Sequence, residues 1–195
     1  MKIDESVQTR IPVATSCAAR ERARACRQRG FTLLEVLVSI GIVTILLGIL
    51  LAVVNKSRSI AQGQVCVANL HTIALALGRC AHDNRDYYPD PVALNQSWEQ
   101  CLRPYLPDSQ IFQCPGDNEI YPVVGSSYDW RDTGVTNTTL AGRTVHDTNR
   151  ISAVLIFESL PGWHGAGRMN AALIDGSAQP MPQGACLSDI QTPIR

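Results

Sequence analysis

The chain lacks every short motif that would announce a chemistry. Its 195 residues contain no Gly-x-Ser-x-Gly nucleophile elbow and no His-Glu-x-x-His. They also contain no phosphate-binding loop and no Gly-x-Gly-x-x-Gly fingerprint. His146, Glu158, His164 and Asp175 have the side chains of a general base or a metal ligand, but no nucleophile motif accompanies them. The sequence therefore reads as a non-enzyme. No pair of cysteines has Cys-x-x-Cys spacing, so spacing gives a zinc site little support. There is no internal repeat, no low-complexity tract and no second hydrophobic span. Net charge is also missing, with 17 basic against 17 acidic residues, but the balance hides an asymmetry. Residues 1–30 carry seven basic and three acidic side chains, while the remainder carries ten and 14. Nothing beyond residue 30 suggests a nucleic-acid partner.

What is present is one long apolar run. From Phe31 to Val54 the only charge is Glu35. At about 1.5 Å per residue such a helix reaches roughly 36 Å, enough to cross a hydrocarbon core of about 30 Å. Only a helix satisfies the backbone of such a run in lipid. Arg20, Arg22, Arg24, Arg27 and Arg29 precede it, opposed locally by Glu21 alone. Such a basic flank keeps the N-terminus in the cytoplasm. A secretory signal would have a shorter apolar core and a small-x-small cleavage site after it, and neither occurs. A plain anchor explains the hydropathy. It does not explain a carboxylate inside the apolar segment, where burial of a charge is costly.

Gly30-Phe31-Thr32-Leu33-Leu34-Glu35, behind a basic leader and ahead of a span, resembles the processing site of type IV prepilins and type II secretion pseudopilins. The resemblance implies cleavage after Gly30 by a prepilin peptidase, N-methylation of Phe31 and an assembly role for Glu35, which in that family pairs with a neighbour's N-terminal amine. It also implies the partners: the peptidase/methyltransferase, other pilin or pseudopilin subunits, an inner-membrane assembly platform and the lipid bilayer. The expected location is the bacterial inner membrane, single-pass, with the C-terminal part periplasmic or extracellular.

Beyond the span, Ile60, Gly63, Val67, Leu70, Ala74, Leu77 and Ala81 recur at spacings of three and four. That is one apolar stripe on an amphipathic helix. The helix is thus expected to run unbroken from about Phe31 to about His82, roughly 78 Å. The expected organisation is a cleaved leader at 1–30, a transmembrane half-helix at 31–54, an amphipathic half at 55–82 and an exported domain at 83–195. The fold class expected is α+β and pilin-like, the long helix packing on a small antiparallel sheet. Residues 83–91 read as a loop, and Ser97-Trp98-Glu99-Gln100 as a capping box opening a short helix to about Tyr105. Ile111 to Cys114 reads as extended before Pro115, and 117–150 as loop-dominated. Ile151 to Phe157 is the best strand, and Met169 to Met181 a hairpin turning at Asp175-Gly176. The proline-containing tail reads as irregular.

Seven cysteines are many for this length. Cys17 and Cys26 lie in the leader, and Cys66, Cys80, Cys101, Cys114 and Cys186 follow. Cys66 and Cys80 sit too far apart along one helix to pair, since fourteen residues span about 21 Å. Cys101 and Cys114, close in sequence across one turn, are the favoured disulfide. The acidic clusters at 83–90, 117–119 and 129–132 offer calcium as an alternative ligand, with no cofactor otherwise expected.

A second resemblance lies near the C-terminus. Trp163-His164-Gly165 to Asp175-Gly176 is similar to a processing-associated segment found in many prepilin-like proteins and named for a histidine, nine residues and Asp-Gly. Here ten residues intervene. Phe112-Gln113-Cys114-Pro115-Gly116-Asp117 resembles a recurring Cys-Pro-Ser-Asp element of the same group. Neither implies a chemistry. Two functions follow: a self-assembling filament subunit, or a membrane-anchored binding module that never polymerises. Glu35 separates them, because a monomeric anchor has no use for it.

Overall fold

A computed structural model describes residues 30–165 and 167–194. The expected leader, Gly30 apart, lies outside those residues. The chain divides into two units, one ending at Thr44 and one beginning at Ile45.

The first unit contains the start of helix α1 (Leu33–Asp83). Thr32 caps it, its hydroxyl accepting from the Glu35 backbone N–H at 3.2 Å. That is half of a capping box and places a carboxylate in the first turn, where the helix dipole favours it. Leu33, Leu34, Leu37, Ile40 and Ile42 are exposed. Ser39 and Thr44 satisfy their hydroxyls on the carbonyls of Glu35 and Gly41, so neither presents a bare donor to apolar surroundings.

In the second unit α1 buries one face, made by Gly63, Cys66, Leu70, Ile73, Ala74, Leu77, Cys80 and Ala81. The expected stripe is therefore right in period and slightly off in angle: Ile60 is exposed, Val67 half-buried, and Cys66, Ile73 and Cys80 join the buried face. Leu70, Ile73 and Leu77 are fully buried, each stabilising the fold by about 1.5–3 kcal/mol. The helix stops where the Asn84 side chain donates to the Cys80 carbonyl at 2.7 Å and Arg85 and Asp86 turn to φ of 60° and 64°.

Four antiparallel strands form a meander in the order β1 (Tyr128–Trp130), β2 (Val154–Glu158), β3 (Arg168–Leu173) and β4 (Ala178–Pro182). Trp130 pairs with Ile156, Phe157 with Ala171 and Met169 with Met181. A bulge between Val154 and Ile156 lets both Leu155 and Ile156 join the α1-facing core, with Tyr128, Trp130 and Ala172. The other face holds Val154, Met169, Ala171 and Leu173 against Cys186 and Ile190. The architecture is α+β and pilin-like, a long N-terminal helix packed on a small antiparallel sheet.

Short helices α2 (Pro91–Leu94), α3 (Trp98–Leu102) and α4 (Tyr121–Val124) fill the connection before β1, and α5 (Gln183–Gln191) follows β4. The capping box on α3 is present with both of its hydrogen bonds. Three expectations are corrected. Ser109 to Phe112 is a 3-10 turn, capped by Asp108 at the Gln110 N–H, so Ile111 and Phe112 are not extended. Tyr128 to Trp130 is a strand inside the stretch read as loop. The tail is not irregular: α5 forms because Cys186 and Ile190, four apart, bury on the sheet.

Candidate functional site

At the N-terminal segment, Gly30 and Phe31 precede the capped start of α1, and Phe31 is 80% exposed. A peptide that a protease must grip needs this kind of accessibility. Glu35 is also exposed. The most apolar 18-residue window of α1 is 0% buried, so none of the described residues covers it. Such a surface needs lipid or other helices.

The second site is built by cysteines, a histidine and a carboxylate, and it overturns one expectation. Cys114 is bridged to Cys66 of α1, not to Cys101. Two hydrogen bonds explain why. Gln62 Nε2 donates to the Pro115 carbonyl at 3.1 Å and Asn69 Nδ2 to the Gln113 carbonyl at 3.1 Å. Between them the two Cα atoms of the bridge stand 5.4 Å apart. The segment around Cys114 is thus laid along α1 on both sides of Cys66. Cys101 sits on α3, its carbonyl 4.0 Å from the Cys80 sulfur, and is a free thiol with Cys80 and Cys186. Closeness in sequence gave the wrong partner. The three-and-four spacing of Gly63, Cys66 and Leu70 is the signal that puts Cys66 on the inner face.

The turn carrying Cys114 is held by its own aspartate. The Cys114 N–H donates to Ser127 Oγ at 2.9 Å, and Ser127 donates to Asp117 Oδ2 at 2.6 Å. Asp117 also accepts from the backbones of Glu119, Ile120 and Tyr121. Burial alone would raise its pKa, but Ser127 and those three N–H groups outweigh it and hold the carboxyl below its ordinary value.

His164 meets this bridge from the loop between β2 and β3. Its Nε2 lies 3.0 Å from the Cys114 sulfur, 3.1 Å from the Cys66 sulfur and 3.4 Å from Glu158 Oε1. Glu158 ends β2 and is buried. Asn170 of β3 donates to it twice, from its side chain to Oε1 at 2.8 Å and from its backbone to Oε2 at 2.9 Å. Burial pushes the Glu158 carboxyl up, with Asn170 opposing, and pushes the His164 imidazole down, with the Ser59 backbone opposing. Gly63 and Gly116 leave the room the ring fills. A Cβ on Gly116 would meet His164 Cε1 at 2.9 Å, and one on Gly63 would meet Cβ and Cγ at 3.3 Å. In the sequence Glu158 and His164 stand among four candidate side chains with His146 and Asp175, and Gly63 stands on the apolar stripe; the convergence of these three needs the β2–β3 pairing.

The remaining candidates stay apart. Asp175 accepts from the Ser177 N–H and hydroxyl and shapes the hairpin turn, where Gly176 has φ 86°. His146 is exposed, 3.5 Å from Asp86. Asp90 caps α2, Asp129 accepts from the Trp130 N–H, and Asp132 accepts from Thr139. Each of these carboxylates does local work in its own loop.

Residues 26–51 match the family model described as the prokaryotic N-terminal methylation motif. The match spans Gly30, Phe31 and Glu35 and leaves the sheet domain outside it. No curated protein and no solved structure matches the chain significantly. The chain therefore carries a prepilin-type N-terminal segment followed by a long apolar helix, and it is similar to type IV prepilins and pseudopilins. That segment points to a structural subunit rather than an enzyme. The apolar helix with its motif fits a single-pass anchor in an inner membrane.

Proposed function

We propose that this chain is a structural subunit processed after Gly30, methylated on Phe31 and assembled into a type IV pilus-like or type II secretion pseudopilus filament. The observation that carries the reading is the methylation motif at 26–51, which runs into a helix whose apolar surface the described residues do not cover. The physics is a lipid-soluble helix that leaves the bilayer by packing against other copies. Its partners on this reading are the prepilin peptidase and methyltransferase, other pilin or pseudopilin subunits, the inner-membrane platform and the bilayer itself. The domain boundaries follow: a leader at 1–30, a membrane half-helix at 31–54, an amphipathic half at 55–82 and an exported domain at 83–195.

The test is the mass of the membrane-bound chain in a host with an active prepilin peptidase. The expected product begins at Phe31 and carries one added methyl group. Gly30→Leu, which puts a bulky side chain at the cleavage position, should accumulate as precursor. A chain that keeps Met1 in that host overturns the proposal.

A further inference from the structure

Cys66, Cys114, Glu158 and His164 each offer a ligand atom, and all four atoms lie within 4.8 Å of one another. They come from α1, the turn before Asp117, the end of β2 and the loop after it. A structural disulfide needs only its two cysteines. It gains nothing from a buried carboxylate and a buried imidazole, each of which costs desolvation. Yet both are fixed here. Asn170 holds both carboxylate oxygens, and Gly63 and Gly116 reserve the space for the ring. His164 Nε2 is aimed at both sulfurs and at Glu158. His164 and Glu158 also line a groove of about 190 Å³ beside Ser59, Ile60 and Met169, which gives small ions a way in.

We propose that Cys66, Cys114, His164 and Glu158 form a binding site for a zinc-class divalent ion when the bridge is reduced, so that this position alternates between disulfide and metal. A dithiol reductant breaks the S–S bond. Its two electrons and two protons pass to the Cys66 and Cys114 sulfurs, and it closes to its own disulfide. The ion then displaces the two thiol protons and makes two metal–sulfur bonds of about 2.3 Å, with His164 Nε2 and a Glu158 oxygen completing four-coordination at about 2.0–2.2 Å. Two thiolates and an imidazole select zinc over calcium or magnesium, which take oxygen ligands. Asn170 is the outer partner that orients the carboxylate. This site does not depend on whether the chain forms filaments.

The experiment uses the full chain in detergent micelles with Cys17, Cys26, Cys80, Cys101 and Cys186 changed to Ala, leaving one cysteine pair. The chain is reduced with dithiothreitol, desalted without oxygen and titrated with Zn2+ alone against a chromophoric chelator. One zinc per reduced chain is expected, and none for the oxidised chain. Cys114→Ser should abolish tight binding, and His164→Ala and Glu158→Gln should each weaken it at least tenfold. Cobalt(II) should give a thiolate charge-transfer band that His164→Ala alters. If reduction unfolds the chain, refolding becomes the readout: one zinc equivalent should restore the native circular dichroism. A folded reduced chain that binds no zinc, equal affinity in the His164 and Glu158 variants, or an unfolded reduced chain that zinc does not restore would each overturn the proposal.

Discussion

Asp189 of α5 joins three parts of the sheet domain through one carboxylate. It accepts from the Val154 N–H at 2.7 Å, from Arg131 Nη1 at 3.0 Å and from Arg150. Arg131 is fully buried and spends its donors on the carbonyls of Thr138, Val154, Asp189 and Thr192 as well as on the carboxylate. Removing one member of such a pair strands the other charge, at a cost of about 3–5 kcal/mol. Asp189→Asn should therefore lower the unfolding free energy at neutral pH by an amount of that order, read by urea titration. Burial would raise the Asp189 pKa, but Val154, Arg150 and Arg131 outweigh it and leave it below the ordinary 3.8. A depressed carboxylate contributes stability that is complete above its unfolded value and lost as pH falls through its folded value. Wild type should thus lose more stability than Asp189→Asn between about pH 5 and about pH 2. Equal losses would mean that Asp189 is not a group that titrates on unfolding. Little of this residue-scale detail is legible in the sequence. Arg131, Arg150 and Asp189 are far apart in the chain, and no spacing rule joins them. The Cys66–Cys114 bridge was hidden for the same reason, since 48 residues separate its ends.

At the scale of elements the sequence says more, because periodicity survives without knowledge of partners. The α1 stripe, the α3 capping box, the β2 run and the Asp-Gly hairpin are all readable, since each depends on residues a few positions apart. The elements that escaped are short or weakly patterned. β1 has only the alternation of Tyr128 and Trp130 around an exposed Asp129. α5 opens behind Pro182 and includes Gly184, with just Cys186 and Ile190 buried. The strength of the α1 signal makes a sharp test. Leu70 and Leu77 are fully buried against the sheet, whereas Gln64 is exposed on the same helix. Leu70→Asp and Leu77→Asp should each remove the cooperative unfolding transition, because an unpaired buried charge costs several kcal/mol. Gln64→Asp should stay within about 0.5 kcal/mol of wild type. Equal tolerance at the two kinds of position would show that this face of α1 does not carry the domain.

For the molecule as a whole, one helix has two kinds of surface, and the described residues leave its N-terminal one uncovered. From Phe31 to Val54 the large apolar side chains are exposed, and Glu35 stands among them. In the single chain Glu35 has a modest local reason to be there. It is the third residue of α1, its backbone N–H is capped by Thr32, and its carboxylate lies near the positive end of the helix dipole. That effect is worth about 0.3–1 kcal/mol and needs no second copy. In a filament of packed helices the same carboxylate loses its solvent. Desolvation then disfavours the charge unless an ammonium partner offsets it, and the amine that the proposed cleavage would create at a neighbour's Phe31 is of the right sign. Local capping and pairing between copies predict different outcomes. Glu35→Gln keeps the size and the Thr32 cap and removes the charge. On the filament reading it should insert and be processed normally, yet yield few or no filaments. Glu35→Leu should insert at least as well and assemble no better. Thr32→Ala, which removes the cap and leaves the carboxylate, should assemble with only a small loss. The measurement is the ratio of sheared extracellular protein to membrane-bound mature protein at matched expression. If Glu35→Leu gives wild-type filament yield, the carboxylate serves the single helix alone. If no variant and no wild type yields sheared protein in a host with a working assembly platform, a membrane-anchored module that never polymerises is the better description.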